Sequence, residues 1–555
     1  GNTQTAGAGA KRPPLKRFLL WFALAACASM LLLATTNQMS QEIAVIPLLW
    51  MLPLCLYLLS FILCFDSERW YARGLYGALL VLGLTMSVLV LYRGVDTHLA
   101  LQIIVPAATL FVACMLCHGE LARLKPSPRY LTSFYLTLTA GGAAGGLFVG
   151  LAAPLLFPGM WEYPLGLWLT AALVIGAFWH DRSSPLYART DWPMHAALIV
   201  ATVLAFYILR TTVLPWLPSA PDDWLFSMPI IAAILGLTLH VRSRRRAVVS
   251  RARSDMRRTM ALASTLAALW LLGGTLTYLV ADPDTDTLHQ SRNFYGVLHV
   301  IDDLDHDPEL HRFRLNHGRI VHGMQYQSAD KRREPTSYYG RDSGVGLAIH
   351  HHPRRFLGLR IGVVGLGVGT LAAHGMKGDL IRFYEINPDV LTLAGPNARL
   401  FTYVGDSKAR VEFVIGDARV ELERELAQGR AQRFHVLALD AFSSDSIPAH
   451  LLTREALEVY LQHLVPDGVL AIHISNRGVD LAPVVRALAQ HAGLAHVFIS
   501  PSDGHLTWTN TWALLARDPS LLKINAIADA AEADEDPSAI LWTDDYSNLL
   551  RVLKL

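Results

Sequence analysis

The chain has 555 residues, too many for one ordinary core, so two or more domains are expected. With 52% hydrophobic residues, only 17% charged residues and a mean hydropathy of +0.32, it is too apolar to be soluble throughout and points to membrane spans. A net charge of +2 argues against a polyanionic partner, so no nucleic acid is expected.

Residues Gly1 to Ala10 read as a tag scar, and 1–16 as a short tail. From there to 281, uncharged apolar runs of about twenty residues recur, each long enough to cross a hydrocarbon layer as a helix. They lie at 17–36, 43–65, 74–92, 99–116, 130–157, 163–179, 194–213, 224–240 and 260–280, which predicts a polytopic domain of eight or nine helices. The first run is too long, and too poorly followed by a small-residue cleavage site, to be a signal peptide. Lys11, Arg12, Lys16 and Arg17 precede it; Arg69 and Arg73, then Arg123, Lys125 and Arg129, then Arg182 and Arg189 fall in alternate later loops, followed by the cluster Arg242 to Arg258. Basic loops stay inside, so the N-terminus is expected in the cytoplasm. No charge falls well inside a span, which favours an anchor or assembly platform over a transporter. Gly141, Gly142, Gly145, Gly146 and Gly150 form small-xxx-small pairs suited to close packing within the bundle. All five cysteines, Cys27, Cys55, Cys64, Cys114 and Cys117, lie in this half without metal or redox spacing and read as buried thiols.

Beyond the acidic linker Asp282 to Asp286, short β-branched runs alternate with helical stretches, predicting a layered βαβ fold. A linker and small β-rich part would fill 282–345, and a Rossmann-like domain 346–555. Arg360 to Val364 reads as a buried strand running into Gly365-Leu366-Gly367-Val368-Gly369-Thr370, then a helix through about Lys377. Gly365, Gly367 and Gly369 let the backbone turn sharply and come close to a ligand at the helix N-terminus. The second strand, Ile381 to Tyr384, ends in Glu385, where a carboxylate can accept both ribose hydroxyls. Alone, these features suit NAD or an adenosyl cofactor equally.

Two later strand ends separate those cofactors. Val411 to Ile415 is followed by Gly416-Asp417-Ala418-Arg419, where the acidic side chain can take an adenine amino group. Val436 to Leu439 ends in Asp440-Ala441-Phe442-Ser443-Ser444-Asp445-Ser446-Ile447-Pro448, whose two carboxylates face the reactive end of such a cofactor. The plainer alternative is that Asp440 and Asp445 cap the next helix.

The glycine loop, Glu385, Gly416-Asp417 and the Asp440 to Pro448 loop resemble the polyamine aminopropyltransferases, the spermidine synthase family, over roughly 293–515. Arg292-Asn293-Phe294-Tyr295-Gly296 and Leu315-Asn316-His317-Gly318 through Gln325 resemble its opening hairpins. Helix Leu452 to Leu464, Pro466-Asp467-Gly468 and strand Val469 to Ile474 continue the likeness. The whole chain resembles bacterial proteins in which such a domain is fused to membrane helices. The resemblance implies an α/β Rossmann-like fold of the class I S-adenosylmethionine-dependent type, and cleavage of the sulfur to γ-carbon bond of S-adenosylmethionine or its decarboxylated form, releasing methylthioadenosine. It implies Asp440, Asp445 and Tyr338 as catalytic residues, Asp440 positioning or deprotonating an attacking amine and Asp445 holding the substrate ammonium. Gly365, Gly367, Gly369, Glu385, Asp417, Ala418 and Gln325 would bind the cofactor, and no metal is implied. The expected partners are the lipid bilayer, a small-molecule substrate of the polyamine kind and a second copy of the chain, at a bacterial inner membrane. A ninth span at 260–280 would put the α/β domain outside, whereas adenosyl sulfonium cofactors are made inside, and the sequence pulls both ways.

Departures from the family bear on the substrate. Val368 stands where the glycine loop of soluble spermidine synthases carries an aspartate, and Tyr338-Tyr339-Gly340 stands for a Tyr-His-Glu segment. Loss of an anion beside the donor tail removes repulsion against a carboxylate, so intact S-adenosylmethionine becomes a plausible donor. Its own carboxylate can attack the γ-carbon to give homoserine lactone, a lyase reaction slightly favoured over aminopropyl transfer to a diamine. A methyltransferase or a ligand-sensing transporter is the further alternative. Gln325, Tyr326, Gln327, Tyr338 and Tyr339 are pocket candidates; His473, Ser475 and Asn476 read rather as a satisfied strand end. His350, His351 and His352 read as a solvated face, and Trp542-Thr543-Asp544-Asp545-Tyr546 has no evident role.

Overall fold

The computed structural model describes residues 12–42, 47–94, 97–181, 251–281, 286–318, 320–441, 448–476, 479–504, 506–534, 538–552 and 554. It divides into two compact units, Gly1–Pro283 and Asp284–Leu555. The stretches 194–213 and 224–240, the loop residues Arg182 and Arg189, and Asp445 lie outside the described residues.

The first unit is helical: α1 (Leu15–Glu42), α2 (Pro47–Asp66), α3 (Arg73–Arg93), α4 (Leu99–Arg123), α5 (Leu131–Leu147), α6 (Glu162–His180) and α7 (Arg251–Ala281). Five helical stretches, Leu15–Ser40, Arg73–Arg93, Leu99–Arg123, Pro128–Leu156 and Glu162–Trp179, are long and apolar enough to cross a membrane. Their shared core includes Trp21, Leu24, Leu110, Cys114, Phe134 and Leu167. Gly141 and Gly145 lie against α1, where an added Cβ would collide with the carbonyl oxygens of Phe22 and Ala26, while Gly142 and Gly150 meet nothing within 4 Å. Gly145→Leu should therefore wedge α1 from α5 and lower the thermal stability of the purified protein, whereas Gly142→Leu should not; equal unfolding temperatures would contradict this packing.

Two expectations for this unit are corrected. Cys27, Cys64, Cys114 and Cys117 are buried, but Cys55 is exposed, because α2 turns it away from the bundle. Helix α4 runs past residue 116 to Arg123 and carries a buried Glu120. Its carboxylate accepts from Arg73 Nε at 2.6 Å and from the Tyr71 hydroxyl at 2.7 Å, and Arg73 also reaches Asp181 at 2.5 Å. A buried charge needs such pairing. Arg73, Arg123 and Asp181, from three alternate connections, thus meet at one end of the bundle.

The second unit opens with an antiparallel sheet of β1 (Thr287–Asn293), β2 (Gly296–Asp303), β3 (Arg312–His317) and β4 (Ile320–Tyr326). After α8 (Gly344–His350) come β5 (Arg360–Val364), β6 (Leu380–Glu385), α9 (Pro388–Ala394), β7 (Arg410–Ile415), α10 (Ala418–Ala427), β8 (Phe434–Leu439), α11 (Arg454–His463), β9 (Leu464–His473), α12 (Ala482–His491), β10 (Ala495–Ile499) and β11 (Trp512–Ala516). The larger sheet runs β7-β6-β5-β8-β9-β11-β10, parallel except that β11 is antiparallel to both neighbours. Its strands β8 and β11 are buried along their whole length because both faces are covered, whereas β6 and β7 carry Arg and Glu side chains. Ile361, Val363, Val436 and Ala438 point into one core, and Val364, Leu437 and Leu439 into the other. Strand order reverses between β5 and β8, which opens a crevice at their carboxyl ends.

The helix expected through Lys377 is absent. Thr370–His374 forms one short 3₁₀ helix, because only five residues separate Gly369 from Gly375. The glycine loop therefore has no long α-helix dipole behind it, and its ligand-binding capacity rests on backbone geometry and side chains.

Candidate functional site

The loop after β5 is a glycine turn by necessity. Gly365, Gly367 and Gly369 have φ of 98°, 53° and 82°, values that L side chains rarely adopt. A Cβ on Gly365 would also strike the carbonyl oxygen of Asp440. The turn is tied to the end of β6: Leu366 N–H donates to Glu385 Oε2 at 2.9 Å, and Asn387 N–H to Oε1 at 2.8 Å. A carboxylate oxygen has two acceptor lone pairs, so these bonds leave acceptor capacity on Glu385.

Burial pushes the Glu385 carboxyl above its ordinary value of 4.5, against the pull of its backbone donors. Protonation removes acceptor capacity, so a nucleoside held by this carboxylate would lose affinity as pH is lowered through that raised value. The stability sign is opposite, since a carboxyl with a raised folded pKa is easier to bury as pH falls. With Glu385 read as a ribose ligand, Glu385→Gln is expected to weaken methylthioadenosine by about ten- to a hundred-fold in calorimetry; unchanged affinity would remove Glu385 from the site.

Asp417 follows β7 beside Glu385, whose carbonyl accepts Gly416 N–H at 2.9 Å. It caps α10 by accepting Val420 N–H at 3.1 Å and pairs with His450 Nε2 at 2.9 Å, which holds its carboxyl below the usual range. Ala418 is the buried first residue of α10. The C-terminal cluster that had no evident role fastens this corner: Asp544 receives both Nη atoms of Arg419 at 2.6 Å and the Thr453 hydroxyl at 2.8 Å, and Trp542 is buried.

Gln325 is placed differently from expectation. Its amide nitrogen donates to Arg332 O at 2.8 Å and to Thr402 Oγ1 at 3.1 Å, and its oxygen accepts Thr402 N–H at 2.7 Å. Those bonds tie β4 to the loop before β7 and use both amide protons. Val368 is likewise a packing residue, buried with its methyls in the space left by Gly323.

Asp440, nearly buried at the end of β8, is held from two sides. The Tyr339 hydroxyl donates to Oδ2 at 2.6 Å, and His473 Nδ1 meets Oδ1 at 2.7 Å. Burial and the neighbouring carboxylate push the Tyr339 phenol well above its usual range, so it remains a donor. His473 Nε2 lies 2.8 Å from Ser475 Oγ, and the ring stacks on Trp512 at 4.6 Å. Tyr338 borders His473 at 5.4 Å and Trp508 at 5.3 Å between ring centres.

Beside Asp440 opens a cleft of about 840 Å³ lined by His322, Tyr338, Tyr339, His473, Ser475 and Asn510, among others. Among the described residues its lining includes four carboxylates, Asp480, Asp503, Glu532 and Asp534, and two cationic side chains, Arg486 and Lys554. His322 Nε2 and Thr370 Oγ1 are buried with no hydrogen-bond partner among the described residues, open positions of the kind a polar ligand satisfies. Neither stood out in the sequence; His322 follows a glycine-rich hairpin without a motif of its own, and Thr370 is simply the residue after the loop.

The histidine tract is corrected too. His352 is buried and its Nε2 meets Asp467 O at 3.0 Å, while His350 Nε2 meets His374 Nδ1 at 2.9 Å. His374 in turn meets the Tyr339 carbonyl at 2.8 Å, so the tract supports the Tyr339 segment. Burial lowers His350 to about 4 and His374 to about 3, keeping both neutral. No group of three or more metal-ligating side chains occurs among the described residues.

A seven-stranded sheet of this order with one antiparallel strand, a glycine turn after its first strand and acids after the next three define the fold of class I S-adenosylmethionine-dependent proteins, carried behind a region of apolar helices. No protein-family model matches the chain. It is 30% identical over 186 residues to the polyamine aminopropyltransferase of Vibrio vulnificus (strain CMCP6), covering 33% of this chain and 57% of that relative's length. Solved structures similar to it include the spermidine synthase of Thermotoga maritima, at 13% identity, 49% and 84% coverage of the two chains and a TM-score of 0.31. A probable spermidine synthase of Corynebacterium glutamicum is similar at 16% identity, 42% and 80% coverage and a TM-score of 0.32. The family likeness read from the sequence thus agrees with the name of a curated relative.

Proposed function

We propose that the α/β domain transfers the aminopropyl group of decarboxylated S-adenosylmethionine to a polyamine nitrogen and releases methylthioadenosine, with the helical region as its membrane anchor. The observation that carries this reading is Asp440, fixed by Tyr339 and His473 between the glycine loop and an acidic cleft. Glu385 and Asp417 hold the nucleoside, and the glycine turn lets its sulfonium approach Asp440. The cleft's excess of carboxylates attracts a polycation and draws one amine toward the γ-carbon. Attack forms the N–C bond as the C–S bond breaks; sulfur keeps the electron pair, and the nitrogen gives up one proton.

The lyase reading has one observation in its favour: no carboxylate stands in the glycine loop to repel that of intact S-adenosylmethionine. Val368 weakens that inference, because its side chain is committed to Gly323. Measuring methylthioadenosine release from each donor with and without putrescine separates the two. Release that depends on the decarboxylated donor and an amine supports transfer; release from S-adenosylmethionine alone would replace it by the lyase.

We further place the N-terminus and the Arg73–Arg123 end of the bundle in the cytoplasm of a bacterial inner membrane, on the basic residues gathered there. Donor supply puts the α/β domain on the same side. Labelling of a cysteine introduced near Gly478 by an impermeant thiol reagent in intact cells would contradict that placement.

A further inference from the structure

We propose that the proton released by the attacking amine is taken by His473 through the hydroxyl of Ser475, with Asp440 as the carboxylate that fixes the imidazole. This rests on the reading of the domain as an aminopropyltransferase, since attack by a donor's own carboxylate needs no base.

The bonds between Asp440, His473 and Ser475 fit one direction of proton donation. Asp440 accepts from Tyr339 on one oxygen, and its other oxygen faces His473 Nδ1 at 2.7 Å, which makes that nitrogen the protonated one of a neutral imidazole. Nε2 is then an acceptor, 2.8 Å from Ser475 Oγ. Ser475 Oγ already accepts Thr511 N–H at 2.7 Å, so its own proton points to His473. A hydroxyl has two acceptor lone pairs, and the second is left for a donor in the cleft, whose wall includes Ser475.

The ring has little freedom to leave this arrangement. It lies within 9° of parallel on Trp512, whose indole N–H is fixed on the Tyr338 carbonyl at 3.1 Å. Among the described residues the groups that face it include Asp440 from the end of β8, Tyr338 and Tyr339 from the segment before α8, Trp512 from β11 and Ser475 beyond its own strand. Among the described residues Asp440 is the one anion that faces it, and it stabilises an imidazolium formed at that point. As the N–C bond forms, the amine proton passes to Ser475 Oγ and the serine proton to Nε2. The proton later leaves to solvent and the neutral ring is restored. His473 is thus a positioning and relay residue, and Ser475 is the group that meets the substrate.

The test uses the full-length protein in detergent, with turnover measured as methylthioadenosine release from decarboxylated S-adenosylmethionine and putrescine across neutral pH. In His473→Gln the amide still donates to Asp440 but cannot take a proton. We expect kcat to fall by about a hundred-fold, KM to stay near its original value, and the acidic limb of the kcat–pH profile to vanish. Ser475→Ala should lose a similar factor and Ser475→Thr should restore it. Retained methylthioadenosine binding shows that each variant is folded. Wild-type kcat and an unchanged pH profile in a folded His473→Gln or Ser475→Ala protein would overturn the relay and leave aminopropyl transfer standing. A wild-type protein that releases no methylthioadenosine with any amine would remove both.

Discussion

Asp440→Asn is expected to lower methylthioadenosine release by roughly 10²- to 10⁴-fold while leaving the domain folded. Asparagine has nearly the same shape, and its oxygen can still accept from Tyr339. Its amide, however, presents protons to His473 Nδ1, where the carboxylate accepted one. The imidazole must then change tautomer and donate from Nε2 toward Ser475, reversing the hydrogen-bond chain, and the anion that attracts an ammonium is lost. Asp440→Ala would act differently. It leaves two buried polar partners unmatched and costs about 1–3 kcal/mol per group of stability. Comparing turnover and unfolding of the two variants separates a chemical role from a packing role. Wild-type turnover in Asp440→Asn would show that the carboxylate has no part in the reaction.

Gly365→Ala should damage the α/β unit and the site together. Its φ of 98° is strained for any L side chain, and the new methyl would meet the Asp440 carbonyl. Backbone strain of about 1–3 kcal/mol adds to an overpacking cost of about 1–3 kcal/mol. Relief can come only by moving the glycine turn from Glu385 or β8 from β5, so nucleoside binding and Asp440 placement fail together. Gly378→Ala is the control, since its φ of 100° is similar but nothing lies within 4 Å of the added Cβ. Denaturant unfolding should show a larger loss at 365 than at 378. Equal losses would mean that close approach to Asp440 contributes nothing.

Much of this site is legible along the chain because it is local. A strand followed at once by spaced glycines announces a turn that only glycine permits, and the ends of the next strands bring Glu385, Asp417 and Asp440 to one sheet edge. Long apolar runs in the first half likewise announce helices. What escapes the sequence depends on distance in space. Tyr339 and His473 are separated from Asp440 by 101 and 33 positions, and nothing in their own neighbourhoods marks the bonds they make to it. Gln325 carries a family-like position, yet its amide is taken up by Arg332 and Thr402. Val368 looks like a change in substrate preference until Gly323 is seen to receive its methyls. The buried ion pair of Arg73 and Glu120 was hidden for the same reason, since each sits at the end of a different helix.

The most direct measurement is product analysis on the purified full-length protein with decarboxylated S-adenosylmethionine and, separately, S-adenosylmethionine as donor, each with and without putrescine. Aminopropyl transfer predicts methylthioadenosine and an aminopropylated amine in equal amounts, with no product when the amine is omitted. S-adenosylhomocysteine, homoserine lactone formed without an amine, or no turnover of either donor would contradict it.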